Sequence, residues 1–185
     1  MITIFLGLLA IAAIALLWAV SCYNTFVRLK AMLDEAWSGI DVQLKRRYDL
    51  IPNLVATVQG YSVHEKSTLE EVTRMRSVSM HATDVHGKSL AEAGLSHALK
   101  TLFAVAERYP DLKANTNFLS LQKELTGIEQ EVQLARRYYN GTARNYNMSV
   151  QSFPSRIIAT MSHFAVVPYF ELSSEQEREV PRVKF

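Results

Sequence analysis

The first 27 residues of the chain carry no charged side chain, and this run constrains the fold more than any other feature. From Ile2 to Val20 the residues are apolar apart from Thr3 and Gly7, and the first charged side chain is that of Arg28. A helix rising 1.5 Å per residue covers roughly 28 Å in such a stretch, about the hydrocarbon thickness of a bilayer. The sequence therefore predicts a transmembrane anchor in residues 1–22. The side chains expected to face lipid are Ile2, Phe5, Leu8, Leu9, Ile11, Ile14, Leu16, Leu17, Trp18 and Val20.

Two other interpretations of this segment stay open. A cleaved signal peptide normally begins with Lys or Arg and ends at a site of small residues, whereas here no basic residue precedes the apolar run. A lipoprotein is the second alternative, because Ala19-Val20-Ser21-Cys22 loosely resembles a lipidation box. The small Ala19, where a bulky aliphatic residue is usual, argues against lipidation of Cys22. A retained helix is the preferred interpretation.

The orientation of the anchor is predicted from the basic residues that flank it. Only the α-amine lies on the N-terminal side, whereas Arg28 and Lys30 follow the apolar run at about headgroup depth if the helix continues. We therefore expect a single-pass protein of the inner membrane, with its N-terminus outside and the remainder in the cytoplasm. The lipid bilayer is the first partner that the sequence predicts.

Composition limits the part that follows the anchor. Its length suits one domain with a single core. The chain has 20 basic and 18 acidic residues, a balance that excludes a concentrated basic face for nucleic acid. One cysteine excludes an intramolecular disulfide and a cysteine-rich zinc site. The predicted organisation is an anchor at 1–22, a helical domain at 23–171 and a flexible polar tail at 172–185.

Apolar residues recur in steps of three and four along most of the chain, as in amphipathic helices. The first such face runs from Phe26 to Val58 with no break after the anchor, so one continuous helix is expected, kinked at Pro52. The pattern fades after residue 62. The stretch from Ser77 to Lys88 mixes Ser, His, Asp and Gly without a period and is interpreted as a loop.

The second half of the chain predicts further helices. One extends from Leu90 to Ala106 and ends before Pro110, and a longer one extends from Phe118 to Val150. A short fourth helix is expected to start at Pro154 and to run to about Phe164. The fold class is therefore all-α: an N-terminal transmembrane helix that continues into an antiparallel bundle of three long helices plus a short C-terminal helix. The apolar residues 165–170 must dock on the bundle, a neighbour or the membrane.

Patterns for catalysis or cofactor binding are not recognisable in this sequence. Among the five histidines no two are four residues apart, and His64-Glu65 lacks the second histidine of a zincin helix. A glycine-rich phosphate loop and a nucleophile elbow are also missing. No catalytic residue, cofactor or metal site is predicted. A metal-dependent hydrolase site built by tertiary convergence of His64, Glu65 and nearby carboxylates is the alternative.

Tyr-Asn pairs are the most informative polar features. Tyr139-Asn140 and Tyr146-Asn147 are seven residues apart, so both tyrosines share one helix face. Asparagines in a helical seam fix register and oligomeric state. The pairs either specify how helices or subunits align, or form one amide network that is satisfied within the monomer.

The residues from Ala36 to Val55, AWSGIDVQLKRRYDLIPNLV, resemble the signature of the bacterial LemA family. The resemblance spans the chain from Tyr23 to Glu171. It continues through Gly60-Tyr61, His64-Glu65, the stretch from Tyr109 to Ala114, Phe118, Leu121-Gln122, the stretch from Ala135 to Asn140, Tyr146-Asn147 and Tyr169-Phe170-Glu171.

The resemblance implies one N-terminal span, a cytoplasmic helical bundle and no accepted enzymatic activity, so no catalytic residue can be carried over. Family members are often encoded near a membrane zinc metalloprotease or a small TPM-type domain protein, and one branch is linked to magnetosome membrane formation. Some relatives carry a lipidation box at the position of Cys22, where this chain departs from the pattern.

The function predicted first is a non-enzymatic membrane-anchored scaffold that self-associates, as a homo-oligomer, or recruits partners. Charge reversal at Arg46-Arg47 is expected to disrupt an assembly and to leave helicity unchanged. The alternatives are a regulatory partner of a membrane zinc metalloprotease and the hydrolase above. The candidate interface or network residues are Trp37, Asp41, Arg46, Arg47, Asp49, Pro52, Asn53, Tyr109, Asp111, Tyr139, Asn140, Tyr146 and Asn147.

Overall fold

The computed structural model describes residues 1–61 and 65–171 of the chain. These residues form an all-α fold, which confirms the predicted class. The helices among the described residues are α1 (Ile2–Gln59), α2 (Lys66–His81), α3 (Val85–Ala106), α4 (Pro110–Lys113), α5 (Thr116–Gln151) and α6 (Ser155–Met161). The predicted tail at 172–185 lies outside the described residues.

Helix α1 joins the apolar N-terminal stretch to the first amphipathic face without interruption. It spans 58 residues, with Pro52 inside it, and this confirms the continuous helix. Its most apolar 18-residue window has a mean hydropathy of 2.6, and none of that window is buried within the chain. By length and composition this part of α1 can cross a membrane.

The prediction of a loop from Ser77 to Lys88 is wrong. Helix α2 continues to His81 and α3 begins at Val85, so only three residues separate them. The turn ends at Asp84, whose carboxylate caps α3 by accepting the backbone N–H of Gly87 at 2.8 Å. The apolar pattern does not predict α2, because one of its three buried positions is the polar Ser79 and only Leu69 and Val72 are apolar.

Helices α3 and α5 confirm the two longer helices predicted in the second half of the chain, whereas the short α4 was not predicted. Helix α3 ends at Ala106, and Pro110 opens α4, where its missing N–H would have no helical partner. Helix α5 contains the predicted run from Phe118 to Val150. Helix α6 is shorter than predicted, ending at Met161.

The contacts divide the chain into two compact units. Among the described residues, unit 1 contains Met1–Ser38 and Tyr138–Pro168, and unit 2 contains those of Gly39–Arg137 together with residues 169–171. In unit 1 the buried apolar side chains are Phe26, Leu33, Ala36, Tyr139, Ala143, Tyr146, Val150 and Ala159. In unit 2 the fully buried ones include Ile40, Leu44, Leu54, Val58, Val72, Leu95, Leu102, Leu112 and Val132.

Within unit 1, α1 and α5 run antiparallel. The ring of Trp37 meets that of Tyr139 edge-on, with centroids 5.6 Å apart. At the other end, Trp18, Cys22 and Phe26 line the same cleft as Ser149. Residue numbers therefore rise along α1 as they fall along the neighbouring α5.

Within unit 2, α2 packs on α3 at a glycine. A Cβ atom placed on Gly94 would lie 2.1 Å from the Cε atom of Met75. The absent side chain therefore gives the Met75 methyl group its space between the two helices.

Candidate functional site

A buried ion pair lies at the centre of unit 2. Arg47 is 4% exposed and Glu92 is fully buried. The Nη1 atom of Arg47 donates to Glu92 Oε2 at 3.0 Å, and its Nη2 atom donates to Ser96 Oγ at 2.9 Å. Nη2 also lies 3.2 Å from an oxygen of Glu129. One guanidinium thus joins α1 to both α3 and α5.

The second oxygen of the Glu92 carboxylate accepts a hydrogen bond from the hydroxyl of Tyr48. That hydroxyl also lies 3.4 Å from the carbonyl oxygen of Ser79 in α2. Burial, together with the negative charge of Glu92, raises the pKa of Tyr48 well above its usual range. The phenol is therefore a neutral donor to Glu92 at all physiological pH values.

Pro52 creates a further polar contact in this region. A proline has no N–H, so the carbonyl four residues earlier in the helix, that of Tyr48, loses its regular partner. The Nε atom of Arg76, on α2, donates to this carbonyl oxygen at 2.7 Å. The side chain of a neighbouring helix thus replaces the hydrogen bond that Pro52 removes.

The signature residues of α1 are separated into a buried and an exposed set. Arg47 and Tyr48 face the core, whereas Arg46, Asp49, Pro52 and Asn53 are exposed. The Nη1 atom of Arg46 donates to Gln43 Oε1, on its own helix, at 3.3 Å. Half-exposed Asp41 lies 3.5 Å from the ammonium group of Lys88 on α3.

This separation corrects the expectation that Arg46 and Arg47 act together at an interface. Arg47 is enclosed by carboxylates of its own chain and is not accessible to a partner. Reversing its charge would leave Glu92 buried beside a like charge, so the fold itself would be disturbed. The expected unchanged helicity therefore applies to Arg46 alone.

Glu65, a member of the hydrolase alternative, is held by two donors. Its Oε1 atom accepts from Arg108 Nη2 at 2.8 Å and from the hydroxyl of Tyr109 at 3.3 Å. His64 lies outside the described residues. Among the described residues, no group of three or more His, Cys, Asp or Glu side chains is placed to hold a metal ion. Asp111 is exposed at the start of α4.

The Tyr-Asn pairs of α5 belong to unit 1, where two of their residues hold the segment after α6. The side-chain amide of Asn147 donates to the carbonyl oxygen of Val167 at 2.9 Å and accepts from the N–H of Val167 at 2.8 Å. The hydroxyl of Tyr139 donates to the carbonyl oxygen of Pro168 at 3.0 Å.

The pKa of Tyr139 is raised, first by burial of its phenol and then by the negative charge of Asp34. Tyr146 is buried and Asn140 half-buried.

For Tyr139 and Asn147, these contacts favour the interpretation in which the Tyr-Asn pairs are satisfied within the monomer. Both side chains satisfy backbone groups of their own chain, and Asn147 pairs with Val167 as a neighbouring strand would. The extended residues 165–168 thereby dock on α5 within unit 1.

Sequence reasoning missed Glu92, Ser96, Glu129 and Arg76. A signal existed for Glu92, because it follows Ala91 and precedes Leu95 on the apolar face of α3. A carboxylate in such a position is rare without a buried cation as its partner. The identity of the cation is not encoded locally, since Arg47 is 45 residues away.

Comparisons with known proteins agree with the resemblance seen in the sequence. The model of the LemA family matches residues 36–185. The chain is 25% identical to magnetosome protein MamQ 2 of Paramagnetospirillum magneticum, over 80% of this chain and 64% of that relative. It is 24% identical to magnetosome protein MamQ of Magnetospirillum gryphiswaldense, with the same coverage. The chain thus spans less than two thirds of these relatives' length.

A further relative is closer in size. Protein LemA of Metamycoplasma hominis is 29% identical to this chain, over 84% of this chain and 71% of the relative. The family match covers the signature on α1, the buried network of unit 2 and the polar residues of α5. The chain belongs to the LemA family.

Proposed function

We propose that this chain is a non-enzymatic, membrane-anchored helical scaffold that self-associates through the exposed signature face of α1. This face consists of Val42, Arg46, Asp49 and Asn53. The observation that carries the proposal is that these signature residues are exposed, while Arg47 and Tyr48 beside them are buried and hydrogen-bonded to Glu92. The exposed set contributes little to holding unit 2 together and is free to serve contact with another protein.

The spacing of the four residues places them together. They follow one another in steps of four, three and four, which is one face of a helix. Val42 exposes 56% of its surface in the midst of polar residues. An apolar residue among charged and amide groups is a composition that protein interfaces use.

The charges on this face favour a second copy of the same chain as the partner. Arg46 and Asp49 have opposite charges and lie one helical turn apart. In a twofold-symmetric pair, residue i of one copy meets residue j of the other and the reverse holds as well. Arg46 of each copy can therefore face Asp49 of its partner.

The buried polar groups support a structural role. The guanidinium of Arg47 and both carboxylate oxygens of Glu92 are engaged by one another and by Ser96 and Tyr48. Networks of this kind fix which helices pack together and in which register. The Arg47–Glu92–Tyr48 set is therefore accounted for by its contacts between α1 and α3.

A membrane location follows from the apolar, unburied start of α1, and the relation to magnetosome proteins is consistent with it. The inner membrane, with the N-terminus outside and the bundle in the cytoplasm, is the orientation we propose from Arg28 and Lys30. Protease added to intact spheroplasts should leave the domain uncut; cleavage without lysis would reverse the orientation.

The scaffold proposal is tested by charge exchange on the full-length protein extracted from membranes. Native mass should show an oligomer for the wild type and a smaller species for Arg46→Asp and for Asp49→Arg. The double variant, Arg46→Asp with Asp49→Arg, should regain the oligomer because the two charges are complementary again. Glu131→Lys, an exposed change on α5, is the matched control and should behave as the wild type.

The same preparation separates self-association from recruitment. A monomer that co-purifies with one other protein, such as a membrane metalloprotease or a TPM-domain protein, would contradict self-association and favour a partner. A wild-type monomer that co-purifies with nothing would contradict the scaffold function altogether.

A further inference from the structure

An exposed apolar stripe follows α5 in unit 1 and is not used by the proposed scaffold face. Ile157 and Met161 are one helical turn apart on α6, and Phe153 lies in the turn just before this helix. Phe153, Ile157 and Met161 expose 84%, 51% and 74% of their surfaces. Ala159, on the opposite side of α6, is buried. The helix is thus fixed by its inner side and presents its larger apolar residues outward.

The position of this stripe relative to the anchor is given by contacts within unit 1. Pro154 and Ser155 line a cleft of about 280 Å³ together with Trp18 and Cys22 of α1. The start of α6 therefore lies beside the last turn of the apolar run, which ends at Val20. Beyond α6, the ring of Phe164 is 5.1 Å from that of Phe26.

These contacts place α6 at the depth of the headgroups if the anchor spans the bilayer. From Val20 to Phe26 a helix rises about 9 Å. The headgroup region of one leaflet is roughly 5–8 Å thick. The stripe is therefore at the height where the membrane passes from hydrocarbon to water.

The neighbouring side chains fit that environment. Trp18 and Tyr23 of α1 are exposed on either side of the end of the apolar run, as in the aromatic belt of membrane proteins. Arg156 is exposed on α6 between Phe153 and Ile157, where its guanidinium can reach lipid phosphate groups. An apolar stripe with a basic residue beside it is typical of a helix that lies in a membrane interface.

We infer that Phe153, Ile157 and Met161 form a second membrane contact, in which α6 rests in the interfacial region of the bilayer beside the transmembrane part of α1. The occupant of the stripe is lipid, because Pro154 and Ser155, which lie between Phe153 and Ile157 in the chain, line one cleft with Trp18 at the end of the apolar run of the anchor. This inference rests on the membrane anchoring in the proposed function. It adds a second contact, through α6, that fixes the position of unit 1 relative to the membrane surface.

The test uses the full-length protein in vesicles of phosphatidylcholine and phosphatidylglycerol. Cys22→Ser provides a background without cysteine. A nitroxide label is then attached at Phe153→Cys or at Met161→Cys, and collision rates with oxygen and with a water-soluble nickel complex report its depth. Both labels should be accessible to oxygen and shielded from nickel, with the label at 153 deeper than that at 161.

Two further labels serve as controls. Tyr138→Cys is also an exposed aromatic position, but it lies about 20 Å before the end of α5, so its label should be fully accessible to nickel. Leu9→Cys lies within the apolar run and should be deep in the bilayer. A deep label at 9 with labels at 153 and 161 as accessible as that at 138 would overturn the interfacial contact alone. A water-exposed label at 9 would overturn the anchoring as well.

A second copy of the chain is the other occupant that the experiment would detect. Spin–spin broadening at 153 or 161 that disappears on dilution with unlabelled protein would show that protein, not lipid, covers the stripe. That result would overturn the inference.

Discussion

The Nε atom of Arg76 donates to the main-chain carbonyl oxygen of Tyr48 at 2.7 Å, across the interface of α2 and α1. This carbonyl has no regular helical partner because Pro52, four residues later, has no N–H. The contact explains how a 58-residue helix retains a proline in its interior. It also links the proline of the family signature to a residue on α2 that lies outside the signature.

Arg76 and Pro52 should be energetically coupled. Replacing Arg76 by Met leaves the half-buried Tyr48 carbonyl without a donor, which should cost about 1–3 kcal/mol. With Pro52→Ala the residue at 52 supplies its own N–H, so the same Arg76 replacement should cost clearly less. Thermal unfolding followed by circular dichroism measures all four proteins of this cycle. An equal cost in both backgrounds would contradict the coupling.

Removing the charge of Glu92 should be among the most damaging single changes in unit 2. Glu92→Gln leaves the 4%-exposed guanidinium of Arg47 without its buried counter-ion, and breaking such a pair costs roughly 3–5 kcal/mol. The melting temperature should therefore fall strongly. Glu129→Gln is the control, since Glu129 is one-third exposed and its loss should have a smaller effect.

The double replacement Arg47→Met with Glu92→Leu tests whether the instability of Glu92→Gln comes from the unpaired charge of Arg47 or from disturbed packing of the core. It removes both charges together, so its cost should be well below that of Glu92→Gln. If the double variant is less stable than both Glu92→Gln and Glu129→Gln, the ion pair is a net source of stability. The loss of stability in Glu92→Gln would then not come from an unpaired buried charge.

Stability should decrease at alkaline pH through Tyr48. The folded chain holds the pKa of this phenol above its ordinary value near 10. The unfolded chain therefore releases the proton first, and the free energy of unfolding falls as the pH rises above about 10. Below that pH the contribution is constant.

Denaturant unfolding between pH 8 and 11 measures this fall, and Tyr48→Phe should make it shallower. It should not abolish it, because the pKa values of Tyr139 and Tyr146 are also raised by burial. An identical pH dependence in wild type and Tyr48→Phe would exclude Tyr48 as a contributor.

Asn147 should control the attachment of the segment after α6. Asn147→Ala removes both hydrogen bonds to Val167 and leaves its N–H and carbonyl groups unpaired. Hydrogen exchange at the Val167 amide should become much faster, while the amides of α5 stay protected. Asn145→Ala, an exposed replacement on the same helix, should leave exchange at Val167 unchanged.

How much of this architecture could be read from the sequence depends on how local each signal is. The apolar steps of α1 and α5 repeat over many turns, so their helices and buried faces were predictable. Helix α2 was not, because Ser79 occupies a buried position and only packing on α3 shows that the position belongs to the core. Arg46, Arg47, Asp49 and Asn53 were all named from the signature as interface or network residues, and only the packing of the helices separates buried Arg47 from the three exposed ones.

The sequence by itself determined the apolar start of α1, the all-α class and the family, since these depend on hydrophobicity and periodicity along neighbouring residues. Only the tertiary structure decided that Arg47 pairs with Glu92, that Arg76 completes the hydrogen bonding of Tyr48, and that Asn147 holds Val167. Each of these contacts joins groups that are 20 or more residues apart. A buried polar group needs a partner, but which partner it meets depends on how the helices pack.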